Sequence, residues 1–161
     1  MATTNLSLYD IDGIPDAVDY KFGIVVSEWN SEITDNLHTG ARDTLLQHGA
    51  LEENIISVKV PGSFELVYGC KRLIQTRKLD AIIAIGNVIK GETEHFTFVC
   101  QGVTQGIKDI NLKFDVPTIF CVLTDHLRQQ SIDRSGGKHG NKGVESAVAA
   151  IKMAAMRQNL K

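Results

Sequence analysis

The sequence predicts an α/β fold, a three-layer sandwich in which helices cover both faces of a four-stranded parallel sheet. Short apolar runs, at residues 22–26 and 81–85 among others, are continuous rather than alternating, which is typical of strands buried on both faces. A segment with helical periodicity follows each run. Because strand–helix–strand crossovers are right-handed, this alternation gives a parallel sheet, and we expect the strand order 2-1-3-4.

The first half of the chain contains two strand–helix units. Residues 22–26 form the first predicted strand, followed by a helix that Gly49 ends. Residues 55–60 form the second strand, which a Pro-Gly pair breaks, and Ser63 is a good N-cap for the next helix. The first helix directs one residue in four toward the core: Ile33, Leu37, Ala41 and Leu45.

The third unit begins with the apolar run at residues 81–85. A loop between Gly86 and Gly91 is expected to follow, and then a helix over about residues 93–113. Two glycines four positions apart weaken that helix, so close packing of another backbone is a plausible reason for them: Gly102 and Gly106.

The fourth strand is predicted over residues 116–123. Thr124 or Asp125 is expected to cap a short helix that ends near Ser135, and a last helix should start near Asn141. Four strand–helix units in this order are typical of the flavodoxin-like arrangement, in which ligands bind beyond the carboxyl ends of the strands.

Composition and charge exclude several classes of function. Hydrophobic residues make up 43% and charged residues 22% of the chain, which is ordinary for a globular protein. A net charge of −2 without any basic run argues against nucleic-acid binding. No apolar run approaches the roughly 20 residues that span a membrane, and the polar N-terminus lacks a signal pattern, so we expect a cytoplasmic protein.

We expect residues 1–161 to form a single domain. Residues 1–20 are polar and irregular, and they form either a mobile tail or an arm that adds to a neighbouring subunit. The three cysteines have apolar neighbours and no CxxC spacing, which favours buried thiols over a nucleophile: Cys70, Cys100 and Cys121. No set of residues has metal-ligand spacing.

Polar residues follow three of the predicted strands. Trp29 and Asn30 come after the first strand; the lone tryptophan is either a core residue or a stacking partner for a planar heterocycle. Glu65 follows the second strand, where the helix dipole favours a carboxylate. After the third strand, Thr93 and His95 lie near a helix start, about one turn in for the histidine. A helix N-terminus attracts anions such as phosphate, and a histidine there can move protons, although an isolated histidine in such a place is more often a surface or capping residue.

The segment 134–143 is rich in glycine and contains three cations, Arg134, Lys138 and Lys142. Such a loop either cradles a phosphate or is a solvated connection between helices. It lacks the order of a P-loop.

Taken together, these residues resemble the 6,7-dimethyl-8-ribityllumazine synthase family from Phe22 to about Met156. The resemblance rests on ordered motifs at compatible spacing: Trp29-Asn30, residues 60–65, residues 91–96, Arg134-Ser135-Gly136 and residues 140–143. It implies condensation of 5-amino-6-(D-ribitylamino)uracil with 3,4-dihydroxy-2-butanone 4-phosphate, the penultimate step of riboflavin synthesis, without cofactor or metal.

The resemblance also implies a role for each matching residue. Trp29 would stack on the pyrimidine, and His95 would shuttle protons. The remaining pocket would be formed by Asn30, Ser63, Phe64, Glu65, Val88, Ile89 and Lys90. The phosphate would be met by Glu92, Thr93 and Arg134, with the side chain of Glu92 pointing to solvent. A neighbouring subunit would supply Arg134, Phe120 and Lys142.

The resemblance implies a homo-oligomer. Members form pentamers, and many assemble twelve pentamers into a hollow shell, which we also expect here because segment 136–141 carries no insertion. The N-terminal arm would add an edge strand to a neighbouring sheet, and riboflavin synthase is a possible partner. Two other functions are compatible with the sequence: a non-catalytic flavin- or lumazine-binding protein and a purely structural shell protein.

Overall fold

A four-stranded parallel sheet forms the centre of the computed structural model, which describes residues 5–160. Its strand order is β2-β1-β3-β4, so the predicted order is confirmed. The strands are β1 Phe22–Ser27, β2 Ile55–Val60, β3 Ala81–Ile89 and β4 Thr118–Asp125. Helices cover both faces, and the predicted three-layer α/β fold is therefore confirmed.

Five α-helices surround the sheet: α1 Ser31–Gln47, α2 Leu66–Thr76, α3 His95–Lys113, α4 Arg128–Arg134 and α5 Lys142–Asn159. A short 3-10 helix, Glu52–Asn54, precedes β2. An antiparallel hairpin of β5 Ser135–Gly137 and β6 Gly140–Asn141 connects α4 to α5. One hydrophobic cluster lies between the sheet and α1 with α5, and a second lies between the sheet and α2 with α3.

Alternation along the central strands explains why their sequences are apolar without a break. Ile83 and Ile85 of β3 pack in the cluster of α1 and α5, whereas Ile82 and Ala84 pack in the cluster of α2 and α3. The predicted apolar stripe of α1 is fully buried, as expected from its spacing. Gly49 lies two residues beyond the end of α1 and has a φ of +94°, a conformation that favours glycine.

The end of β3 differs from the prediction. Residues 86–89, expected in a loop, belong to the strand, because β4 provides backbone partners as far as the pair Ile89–Asp125. Gly86 is therefore not a turn residue. A Cβ atom at this position would lie 2.6 Å from Ser63 Oγ and 2.9 Å from Leu66 Cδ1, so close packing excludes a side chain there.

Two predicted helix starts are wrong by a few residues. Ser63 does not cap α2, which begins at Leu66; its hydroxyl instead donates to the carbonyl of Asn87. The third helix does not begin at Thr93 but at His95, so the histidine is the first helical residue and not one turn in.

The predicted cap of the short helix is also wrong. Thr124 and Asp125 belong to β4, and α4 begins at Arg128. The side-chain oxygen of Gln130 accepts the backbone N–H groups just ahead of the helix, those of His126 and Leu127, at 2.9 and 3.1 Å. The start of α5 agrees with the prediction, since the side chain of Asn141 accepts the N–H of Gly143 at 2.8 Å.

Residues 5–20 of the N-terminal segment pack against their own chain and contain no strand. The Leu6 N–H donates to the carbonyl of His139 at 2.7 Å, the Tyr9 hydroxyl lies 2.9 Å from His48 Nε2, and Ala17 is buried. Pairing of the N-terminal arm with a neighbouring sheet remains a prediction. Residues 1–4 of the arm lie outside the described residues, as does Lys161.

Cys70 and Cys121 are buried and unpaired, which confirms their interpretation as core residues, whereas Cys100 is half-buried. Burial raises the pKa of the Cys121 thiol to about 11, and it also raises the pKa of the thiols of Cys70 and Cys100. Protonated thiols are poor nucleophiles. Among the helices of residues 5–160, none is long and apolar enough to cross a membrane.

Candidate active site

A cavity of about 680 Å³ opens beyond the carboxyl ends of β1, β2 and β3. It brings together eight residues that the sequence singled out from separate segments: Trp29, Asn30, Ser63, Phe64, Glu65, Val88, Ile89 and His95. The remaining lining residues were not predicted as site residues: Gly62, Asn87, Phe98 and Val99. The cavity lies where ligands bind in parallel sheets of this kind.

Asn30 has an unusual backbone in this cavity. Its φ of 58° and ψ of 46° are left-handed, and within residues 5–160 it is the only residue other than glycine with a positive φ. Its carbonyl accepts the N–H groups of Ile33 and Thr34, the first backbone bonds of α1. Asparagine adopts this conformation more readily than most residues, and strain of this kind tends to occur at functional sites.

The carbonyl of Asn87 connects two polar lining residues to the end of β3. It accepts the Ser63 hydroxyl at 3.3 Å and the Asn30 side-chain amide at 3.5 Å. The segments that follow β1 and β2 are thereby connected to the end of β3. Sequence reasoning missed Asn87, although a polar residue two positions after the apolar run at residues 81–85 was a usable signal.

Three aromatic side chains line the cavity and are largely exposed in this single chain: Trp29 is 71%, Phe98 67% and Phe64 57% accessible. The interpretation of Trp29 as a core residue is therefore wrong. Exposed aromatic faces suit a planar heterocycle, since offset stacking adds to the gain from area burial.

The glycines of α3 explain how Phe64 reaches the cavity. A Cβ atom at Gly102 would lie 2.6 Å from Phe64 Cε2, and one at Gly106 would lie 2.9 Å from Val67 Cγ1. Both glycines thus permit close packing, but the predicted neighbour, another backbone, is wrong, because side chains occupy the space. The ring of Phe64 lies against α3 because Gly102 leaves space for it.

The N-terminus of α3 supplies the polar end of the cavity. His95 is exposed, and its backbone N–H donates to Thr93 Oγ1 at 3.4 Å. The N–H of Phe98 makes a helical hydrogen bond to the carbonyl of Glu94. The backbone N–H groups of the residues before Phe98 lie at the open end of the helix. Such groups attract anions. Glu92 is exposed, and the orientation of its side chain away from a bound phosphate remains a prediction.

Six predicted site residues do not line the cavity of this chain: Lys90, Glu92, Thr93, Phe120, Arg134 and Lys142. The first three lie in the segment between the lining residues Ile89 and His95. The other three come from elsewhere and are those that the resemblance assigns to a neighbouring subunit; in the single chain this assignment remains a prediction. The described residues contain no group of three or more His, Cys, Asp or Glu side chains placed to hold a metal ion.

Arg134 is the last residue of α4, and its Nη1 donates to the carbonyl of Gln130 at 3.0 Å. Lys142 forms an ion pair with Glu145 in the first turn of α5. Phe120 is half-buried on the edge strand β4, on the face covered by α2 and α3. These three residues therefore belong to the side of the molecule around β4, α4 and α5.

Comparison with known proteins gives a consistent result. The chain matches the family model described as 6,7-dimethyl-8-ribityllumazine synthase over residues 19–158. A curated protein of that name from Christiangramia forsetii is 62% identical over 100% of this chain and 98% of its own. Its counterpart from Flavobacterium psychrophilum is 62% identical over 98% and 83%, and that from Parabacteroides distasonis is 56% identical over 95% and 97%.

Proposed function

This chain belongs to the 6,7-dimethyl-8-ribityllumazine synthase family, and we propose that it is a transferase that catalyses the reaction for which the family is named. It condenses 5-amino-6-(D-ribitylamino)uracil with 3,4-dihydroxy-2-butanone 4-phosphate, releasing phosphate and water, in the penultimate step of riboflavin biosynthesis. The observation that carries the proposal is the cavity at the sheet edge, where an aromatic surface and the N-terminus of α3 lie together.

The aromatic part of the cavity binds the pyrimidine. Trp29 and Phe64 offer exposed ring faces for stacking. The side chains of Asn30 and Ser63 both donate to the carbonyl of Asn87. These bonds fix their orientation, and their other polar atoms are left to bind the substrate. The other groups toward the ring and its ribityl chain are the side chain of Glu65 and the segment Val88, Ile89 and Lys90.

The phosphate of the second substrate binds at the N-terminus of α3. Backbone N–H groups there, with that of Glu92 and the hydroxyl of Thr93, supply donors without a net charge. A cation is still required, because phosphate leaves as an anion and its charge develops in the transition state. Arg134 of a neighbouring subunit supplies this cation, with Phe120 and Lys142 from the same neighbour.

His95 moves protons between the two parts of the cavity. Attack of the amine on the ketone forms an imine with loss of water. In this step the nitrogen loses protons and the departing hydroxyl gains one, and a histidine is able to accept and donate these protons near neutral pH. Elimination of phosphate and ring closure need further transfers. Holding both substrates together supplies much of the remaining acceleration, because it replaces a bimolecular encounter.

Lumazine formation tests the function directly. Incubation of the protein with both substrates should produce the absorbance of 6,7-dimethyl-8-ribityllumazine at a rate proportional to protein concentration. If the protein binds the pyrimidine but forms no product at any concentration, it is a binding protein and not the synthase.

His95→Ala should lower turnover by about one to two orders of magnitude or less. General acid–base catalysis contributes roughly 10²–10⁴-fold, but the condensation is feasible without a catalyst, and positioning of the substrates is retained. The measurement is kcat at saturating concentrations of both substrates. His38→Ala is a suitable control, since this histidine lies in α1, bonds the side chain of Ser57 in β2 and is not part of the cavity lining. An unchanged kcat in His95→Ala would remove His95 from the mechanism.

We further propose a pentamer, assembled into a 60-subunit shell that riboflavin synthase is able to join. The support is that Arg134, Phe120 and Lys142 do not line the cavity of their own chain. Residues 1–161 form one domain in this proposal, with residues 1–20 as an arm, and three unpaired thiols favour the reducing cytoplasm. Light scattering after size-exclusion chromatography should give the mass of a shell; a monomer would contradict a shared site.

A further inference from the structure

A chain of buried hydrogen bonds connects the cavity to α4. The side-chain amide of Asn87, which is 3% exposed, donates to Ser131 Oγ at 2.8 Å and to the carbonyl of Leu123 at 3.4 Å. Ser131 is fully buried, and its hydroxyl donates to Asp125 Oδ2 at 2.8 Å. Three polar side chains from β3, α4 and β4 thus meet behind the wall of the cavity.

The direction of these bonds leaves little freedom. An ionised carboxylate only accepts, so Ser131 donates to Asp125 and must accept from the amide of Asn87. Bonds in such a chain strengthen one another. The amide oxygen of Asn87 is left without a partner although it is buried. Because an unsatisfied buried acceptor is unfavourable, the other bonds of Asn87 hold the amide in this orientation.

The helix that this chain of bonds reaches is short. With seven residues, α4 is not stable in isolation, and tertiary contacts determine its position. Within residues 5–160, Ser131 is the only residue of α4 whose side chain hydrogen-bonds to the sheet; Arg128 pairs with Glu32 of α1 at an exposed position. Arg134, the proposed phosphate ligand, lies three residues beyond Ser131, close to one helical turn.

We propose that Ser131 and Asp125 are positioning residues for Arg134. Through Asn87, they connect α4 to β3, whose end lines this chain's own cavity. Arg134, which binds phosphate in the neighbouring subunit's cavity, thereby keeps a fixed position relative to the sheet of its own chain. Asn87 serves both sides, because its carbonyl holds Asn30 and Ser63 while its side chain holds α4. The inference rests on the proposed function.

Ser131→Ala in the assembled protein tests the proposal. Loss of the hydroxyl removes the side-chain hydrogen bonds between α4 and the sheet but leaves the backbone of β3 in place. We expect the KM for the phosphorylated substrate to rise on the order of ten-fold, since misplacement of a binding group by a fraction of an ångström weakens binding strongly. The KM for the pyrimidine substrate and the kcat at saturation should change about three-fold or less.

Variants of Asp125 add a second readout. Asp125→Ala should match Ser131→Ala, and the double variant should be no worse than either, because residues of one network are not additive. Asp125→Asn retains an acceptor oxygen and should restore a KM near that of the unmodified protein. Thr44→Val is the matched control: it removes a buried hydroxyl that bonds only within α1, to the carbonyl of Gly40.

The outcomes separate the two proposals. An unmodified protein that forms no lumazine overturns the proposed function. An active protein whose Ser131→Ala variant keeps the original KM for the phosphorylated substrate overturns the positioning role, and so does a Thr44→Val variant that raises this KM as much. If Ser131→Ala does not assemble, Ser131→Cys, whose slightly larger thiol is a weaker donor and acceptor than the hydroxyl, should show a smaller rise in the same KM; an unchanged value again contradicts the role.

Discussion

Replacing Arg134 with alanine should raise the KM for the phosphorylated substrate by about 10- to 100-fold. A hydrogen bond to a charged group contributes about 1.5–3 kcal/mol, and about 1.4 kcal/mol corresponds to a factor of ten. Arg134 has no carboxylate partner within residues 5–160; its Nη1 bonds a carbonyl of its own helix. Its charge is therefore not paired with a carboxylate of the described residues.

Two further variants show whether the effect belongs to this position. Arg134→Lys keeps the charge but loses the planar fork, so it should recover only part of the affinity. Arg72→Ala removes the same charge from the exposed surface of α2, where the guanidinium bonds the side chain of Gln75, and should leave the KM nearly unchanged. An Arg134→Ala variant with an unaltered KM would show that phosphate binds elsewhere.

Gly143→Ala should destabilise the protein by about 3 kcal/mol or more, near the upper end of the effect of overpacking. Gly143 lies in the first turn of α5, and a Cβ atom there would overlap the backbone carbonyl of Leu37 in α1. That carbonyl is inside a helix and cannot move aside as a flexible side chain would. The added methyl group would also approach Asn141 Oδ1 to 2.9 Å and disturb the cap of α5.

Urea and thermal unfolding at equal protein concentration measure this loss, because protein concentration affects the stability of the oligomer proposed above. Gly91→Ala is the matched control, because no atom lies within 4 Å of a Cβ atom at Gly91 and no positive φ is recorded there. If the urea midpoints and melting temperatures of the two variants are equal, the predicted destabilisation is wrong, and α1 and α5 move apart without a large loss of stability.

Local sequence patterns predicted the sheet well but failed at the ends of its elements. Apolar runs identify buried strands because both faces of a parallel sheet are covered. Where β3 ends, however, depends on β4, whose residues lie some 36 positions further along the chain. The sequence pattern indicates a loop at Gly86, but Gly86 is a strand residue, and Ser63 and Leu66 leave no space there for a side chain.

The site was predictable in outline for a related reason. Residues that directly follow strands meet at one edge of a parallel sheet, so Trp29, Ser63 and His95 were expected near one another, and all three line the cavity. Asn87 was missed because its role depends on Ser131, 44 residues away, and no local pattern links the two. Phe98 was missed as well, because an apolar residue of a helix is expected to face the core, whereas this side chain is largely exposed to the cavity.

The left-handed backbone at Asn30 has a consequence for redesign of the substrate range. Position 30 accepts asparagine, aspartate or glycine with little strain, and β-branched residues poorly, because φ near 58° is disfavoured for them. Trp29 has no such restriction and is largely exposed to the cavity. A library directed at other ring systems should therefore vary the residue at position 29 and keep its neighbour constant, so that pocket shape changes without loss of the turn that starts α1.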